Sequence, residues 1–66
     1  MKTILIIGAS GYIGSKIYRE LNNYFSVFGT FFSNKSFNKN KRFFYYDINK
    51  NDISVILNYT KPNLII

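Results

Sequence analysis

Cysteine and histidine are both missing from this chain, and only three of its 66 residues are acidic. Without cysteine there is no disulfide staple, which fits a reducing cytoplasm. Without either residue a zinc site of the usual kind has no ligands, and no metal is expected. Long apolar runs are absent too. Ile4 to Ile7 is interrupted by Gly8, far short of the ~20 residues of a membrane span and too short for a secretory leader. A soluble, cytoplasmic protein with no membrane partner is therefore expected.

What is present is apolar and aromatic: 47% hydrophobic residues, with seven Phe and six Tyr. Disorder is excluded by such a composition, and there is ample material for a core. A chain this short nevertheless buries only about 60% of its unfolded surface, so it is marginal as an independent domain. The formal charge of +6 raises nucleic acid as a partner. Against that, Lys35, Lys39, Lys41 and Arg42 crowd into one short stretch, the other basic residues are scattered, and the abundance of Asn, Lys, Ile and Phe has the look of base-composition bias. Nucleic acid is disfavoured.

The chain is organised around its first residues. Ile4, Leu5, Ile6 and Ile7 run into glycines at 8, 11 and 14, and an amphipathic pattern follows. That order is strand, tight turn, helix. Glycine in the turn permits positive φ, a second lets backbone N–H groups approach a ligand, and a third lets the helix lie close to the strand. The positive end of such a helix suits an anion, most often a pyrophosphate. The spacing is G-x-x-G-x-x-G, a variant of the commoner dinucleotide fingerprint, and its alternative is a tight turn that binds nothing.

In order, 3–7 reads as a central strand of a parallel sheet, being apolar without alternation. A helix over 11–22 follows, with Ile13, Ile17 and Leu21 on one face beside Tyr18, and Lys16, Arg19 and Glu20 opposite. Residues 24–32 read as a second strand, 33–41 as a polar basic loop, and 42–46 as a third strand ending at Asp47 and Ile48. Either Asn49 or Asn51 caps a second helix in which Ile53, Ile56, Leu57 and Thr60 share a face, and the single proline, Pro62, stops it. A fourth strand opens at 63–66. The expected fold is α/β, the amino-terminal half of a Rossmann-type doubly wound parallel sheet, β-α-β-β-α-β with strand order 3-2-1-4 and a helix on each face. Because the chain stops inside an apolar run, residues 1–66 are expected to be the first part of a longer cofactor-binding domain, inactive by themselves.

The run TILIIGASGYIGSKIYREL resembles the extended short-chain dehydrogenase/reductase family, NAD(P)-dependent epimerases, dehydratases and reductases of nucleotide sugars. The likeness is nearest to dTDP-4-dehydrorhamnose reductase-like proteins, through VFGTFFSN, YYDINKND and KPNLII in order. It implies a nucleotide-sugar substrate and hydride exchange between nicotinamide and a sugar carbon. Two further readings stand beside it: a noncatalytic, NADP-binding redox sensor of the same family, and a basic nucleic-acid-binding fragment. The oligomeric state is left open.

On this resemblance Gly8, Ser10, Gly11, Tyr12, Ile13 and Gly14 surround the pyrophosphate. Tyr12 and Ile13 donate main-chain N–H groups, Ser10 supplies a hydroxyl, and Gly14 serves packing. Asp47 meets the adenine amino group and Ile48 covers the ring. At the end of strand two, where NAD-specific relatives place an acid on the ribose, this chain has Thr30, Phe31, Phe32 and Ser33. With no carboxylate there, and with Ser33, Asn34 and Lys35 following, NADP(H) is expected over NAD(H). Lys39, Lys41 and Arg42 are expected to add positive potential. The family's catalytic Tyr-x-x-x-Lys pattern occurs twice, at Tyr12/Lys16 and Tyr46/Lys50, but inside the phosphate turn and at the adenine end, where neither reaches a nicotinamide. No catalytic residue is assigned within 1–66.

Overall fold

The structure, a computed structural model, describes residues 2–33 and 40–66. β1 (Thr3–Ile6) leads into α1 (Tyr12–Leu21), which returns the chain to β2 (Ser26–Phe31). β3 (Phe43–Tyr45), α2 (Ser54–Thr60) and β4 (Leu64–Ile65) complete the order. All strand pairs are parallel and the sheet runs β3-β2-β1-β4, as expected. Each element is shorter than its sequence signal because strand and helix ends fray into turns within a residue or two of the regular ladder.

Alternation sorts the side chains onto two faces. Ile4, Ile6, Val27, Phe31 and Phe43 are buried on one, with Ala9, and Ile17, Tyr18, Leu21 and Phe25 close over them from α1 and its end. Tyr18 meets the Phe43 ring edge-on at 4.8 Å. On the opposite face Phe28 and Phe44 pack against Tyr59 of α2, at 6.4 and 5.5 Å. A helix on each face, with β4 placed on the far side of β1 from β2, makes the sheet doubly wound about β1. Leu5 at the centre is wholly buried. Removing such a side chain costs about 2–5 kcal/mol.

α1 has an amphipathic sequence, yet Ile13 is 70% exposed rather than packed. The helix starts beyond the end of β1 and descends antiparallel to it, so its first turn overhangs the strands and finds no sheet beneath. α2 ends where Lys61 takes φ 47°, a left-handed cap directly before Pro62. β4 is clasped to β1 by Asn63, which accepts the Thr3 N–H at Oδ1 and donates its own N–H to the Thr3 carbonyl. Among the described residues no helix is long and apolar enough to cross a membrane.

Candidate functional site

In a doubly wound sheet the crevice for a ligand opens at the carboxyl ends of the strands, where the winding reverses. Here the winding reverses between β1 and β4, and the glycine turn leaves the sheet there. Gly8 takes φ +77°, a conformation that side chains rarely adopt, and the space where its Cβ would stand is open. Gly11 N–H donates to the Gly8 carbonyl at 3.0 Å, closing the turn. Gly11 is also the N-cap of α1, so no side chain caps the helix. The first N–H groups of a helix have no partner within it. Those of Tyr12 and Ile13 therefore face an exposed turn with nothing local bonded to them, next to the positive end of the helix dipole. No acidic residue lies in that first turn to compete with an anion.

Two close approaches set the turn in place. A Cβ on Gly14 would collide with the Gly8 carbonyl oxygen and lie 3.0 Å from the Ala9 Cα, so this glycine serves helix packing, as expected. A Cβ on Gly29 would stand 2.5 Å from the Ala9 Cβ and 2.9 Å from the Phe43 ring. Sequence reasoning attached no role to Gly29, because its position opposite Ile6 depends on the β1–β2 register. Thr30, the next residue along, is 2% exposed, and its Oγ1 accepts the Gly8 N–H at 2.8 Å. Ser10 lies half-buried within the turn and Gly11 at its surface.

At the end of β2 the geometry separates the residues proposed for the ribose end. Thr30 and Phe31 both point into the molecule, whereas Phe32 is 56% exposed and Ser33 is exposed beside it. Phe32 thus occupies the strand-end position open to solvent, and its ring stacks on Tyr45 at 6.1 Å and 29°. Asn34, Lys35 and Lys39 lie outside the described residues. Arg42 does not serve this end. Its Nε donates to the Val27 carbonyl at 2.8 Å, its Nη2 to the Ser26 hydroxyl, and its guanidinium lies 4.2 Å from the Phe28 ring centroid. Those partners sit in the first half of β2, roughly 13–20 Å from Phe32 at the usual strand rise. That is beyond a Debye length of about 8–10 Å, so the contribution expected of Arg42 to a phosphate there is removed.

Beyond β3, Asp47 is buried and its carboxylate is engaged locally, Oδ1 accepting the Asn49 N–H at 2.9 Å. Ile48 beside it is 76% exposed, free to cover a flat ring. Neither Asn49 nor Asn51 caps α2. Asn51 Oδ1 turns back to accept the Asp47 N–H, and Asp52 Oδ1 accepts the Ser54 N–H. This bond holds the Asp52 carboxyl below the usual carboxylate value. The signal for it was an acid two residues before the first helical position.

Among the described residues the two Tyr-x-x-x-Lys sequences fall at opposite ends of the first and second strand-to-helix turns. Lys16 Nζ does donate to the Tyr12 hydroxyl, at 2.8 Å, but on the exposed first turn of α1. Tyr46 follows β3 and Lys50 lies in the next turn. One cavity, of about 540 Å³, runs along the β1–β4 edge beneath the end of α1, lined by Ile4, Leu21, Phe25, Leu64 and Ile66, and Ile66 brings it up to Ile7, just before the glycine turn. A smaller one of about 290 Å³ lies between Tyr45, Tyr46, Asn51, Asp52, Val55 and Ile56. Among the described residues no group of His, Cys, Asp and Glu is placed to hold a metal ion. Compared with known proteins, the chain matches no family model, no curated protein and no solved structure.

Proposed function

We propose that this chain binds the dinucleotide of an NAD(P)-dependent oxidoreductase or epimerase of nucleotide sugars, with the pyrophosphate on the glycine turn. The observation that carries the reading is the uncapped first turn of α1 beside a positive-φ glycine, at the point where the sheet reverses its winding. Each phosphate oxygen there accepts N–H groups that otherwise face water, with Ser10 adding a hydroxyl, and charge-assisted bonds of this kind contribute about 1.5–3 kcal/mol each. Asp47 and Ile48 take the adenine, and the hydride chemistry belongs to the nicotinamide with catalytic residues outside 1–66.

The cofactor is NADP(H) in preference to NAD(H). An acid at the end of β2 would bond the ribose hydroxyls and repel a 2′-phosphate, and the exposed residue there is Phe32, followed by Ser33, Asn34 and Lys35. The test is titration of NADP+ and NAD+ into the protein and its Phe32→Asp variant. NADP+ is expected to bind more tightly to the parent, and Phe32→Asp to narrow the ratio roughly tenfold through charge repulsion. Equal affinities in the parent, or tighter NAD+, would remove the preference, and no binding of either would remove the dinucleotide reading.

A further inference from the structure

We infer that Thr30 is the positioning residue of the phosphate turn: its buried hydroxyl, reaching across from β2, fixes the Gly8 N–H and through it the conformation that presents the α1 N–H groups. The inference rests on the dinucleotide reading above. Gly8 is the one glycine of this chain with positive φ, and it is exposed on its open side. The turn holds itself by a single backbone bond, Gly11 N–H to the Gly8 carbonyl. That bond constrains Gly8 at its carbonyl alone. Its amide is fixed from the neighbouring strand, by Thr30 Oγ1 at 2.8 Å.

Thr30 itself has little freedom. It is 2% exposed, it follows Gly29 in β2, and Gly29 is pressed against Ala9 of the same turn. Strand β2 therefore holds the turn at two adjacent places, by contact at Ala9 and by hydrogen bond at Gly8. A β-branched side chain has few χ1 choices in a strand, so the hydroxyl is delivered in one orientation. Valine has nearly the same shape and would fill the same space without an acceptor, leaving the Gly8 N–H to find water or to turn. The anion site would lose its geometry while the core kept its volume. Thr30 never touches the ligand, and its effect is carried wholly by Gly8.

The experiment compares the parent with Thr30→Val and Thr30→Ser, reading amide hydrogen exchange at Gly8 without ligand and the NADP+ dissociation constant of the folded protein. Thr30→Val is expected to speed Gly8 exchange about tenfold and to raise the NADP+ dissociation constant about tenfold, the loss of one hydrogen bond. Thr30→Ser, which keeps the hydroxyl, is expected to stay within about twofold of the parent in both. A residue with only a structural role would lower the melting temperature in Thr30→Val and leave the affinity of the folded fraction alone, and that result would overturn the inference. So would Gly8 exchange unchanged in Thr30→Val, whatever the ligand does. Should Thr30→Val fail to fold, Thr30→Ser and Thr30→Ala make the same comparison, and equal Gly8 exchange in those two would overturn it. A parent that binds no dinucleotide defeats the reading of the site, while the exchange comparison still decides the role of Thr30.

Discussion

Among the described residues two turns carry a strand into a helix, one after β1 and one after β3, and they are built in opposite ways. After β3 the turn closes on its own side chains. The Asp47 N–H goes to Asn51, the Asn49 N–H to the Asp47 carboxylate, the Ser54 N–H to Asp52, and the Lys50 and Asn51 N–H groups to the Asp47 carbonyl. After β1 no side chain of the turn bonds its backbone; Gly11 supplies one backbone bond, and Thr30 on another strand supplies the second. A turn that satisfies its own N–H groups has none to offer an anion. The glycine turn keeps those of α1 available, and in consequence it depends on residues distant in sequence, Gly29 and Thr30 in β2, to hold its shape.

The largest effect that would break this comparison comes from the glycines. Gly14→Ala places a methyl group against the backbone carbonyl of Gly8, where nothing can rotate away, and should destabilise the protein by about 1–3 kcal/mol or more. At Gly11 the added Cβ would sit 3.3 Å from the same oxygen and the backbone is already extended, with φ −73° and ψ 172°. Gly11→Ala should therefore cost less than about 1 kcal/mol. Gly11→Val should abolish NADP+ binding, because its branched side chain stands where the phosphates approach. Urea melts of the three variants and NADP+ titration of Gly11→Val check this. Equal losses of stability at 11 and 14, or parent-like binding in Gly11→Val, would show that the two glycines are not divided between ligand and packing.

The contrast between the turns also marks how much was legible beforehand. Strand order and the sides taken by the helices followed from short apolar runs separated by one amphipathic pattern and one proline-stopped helix, since parallel crossovers leave few arrangements. The role of Gly14 was legible from spacing alone. Ile13 was misplaced because periodicity sorts helix faces without saying where the sheet ends. Arg42 was misplaced because a charge near a site in sequence can lie a strand's length from it in space. Gly29 and Thr30 became visible only with the register that sets Ile6 opposite Gly29. Neither asparagine caps α2, because both take part in the turn around Asp47, and the helix begins after Ile53 with no side-chain cap.

A smaller effect sharpens the comparison from the other side. In the second turn Asn51→Ala removes the acceptor of a part-buried N–H, that of Asp47, and should lower stability by about 1 kcal/mol. The two turns share no hydrogen bond, so Gly8 amide exchange below the global unfolding limit should stay at its parent rate. Faster exchange at Gly8 in Asn51→Ala would mean that the second turn, too, supports the first.

The smallest effect concerns Asp52, whose carboxylate accepts the Ser54 N–H at 2.9 Å at the start of α2. The backbone N–H of Ser54 and, after it, the Ser54 side chain favour the ionised form and hold this carboxyl below its ordinary value of 3.8. A folded-state value below the unfolded one means stability that is fully present above the ordinary carboxylate range. It is lost as pH falls through the lowered folded value. Because the carboxylate is fully exposed, water and salt screen the effect and it should be small. Asp52→Asn keeps an oxygen acceptor for Ser54 but cannot titrate, so subtracting its pH profile from that of the parent isolates this one group from Asp47 and Glu20. Chemical melts from neutral pH to below the carboxylate range should show the parent losing slightly more stability than Asp52→Asn, all of it on the acid side. Parallel profiles would mean that the N–H of Ser54 is held as well by a neutral acceptor, and that the second turn owes nothing to charge.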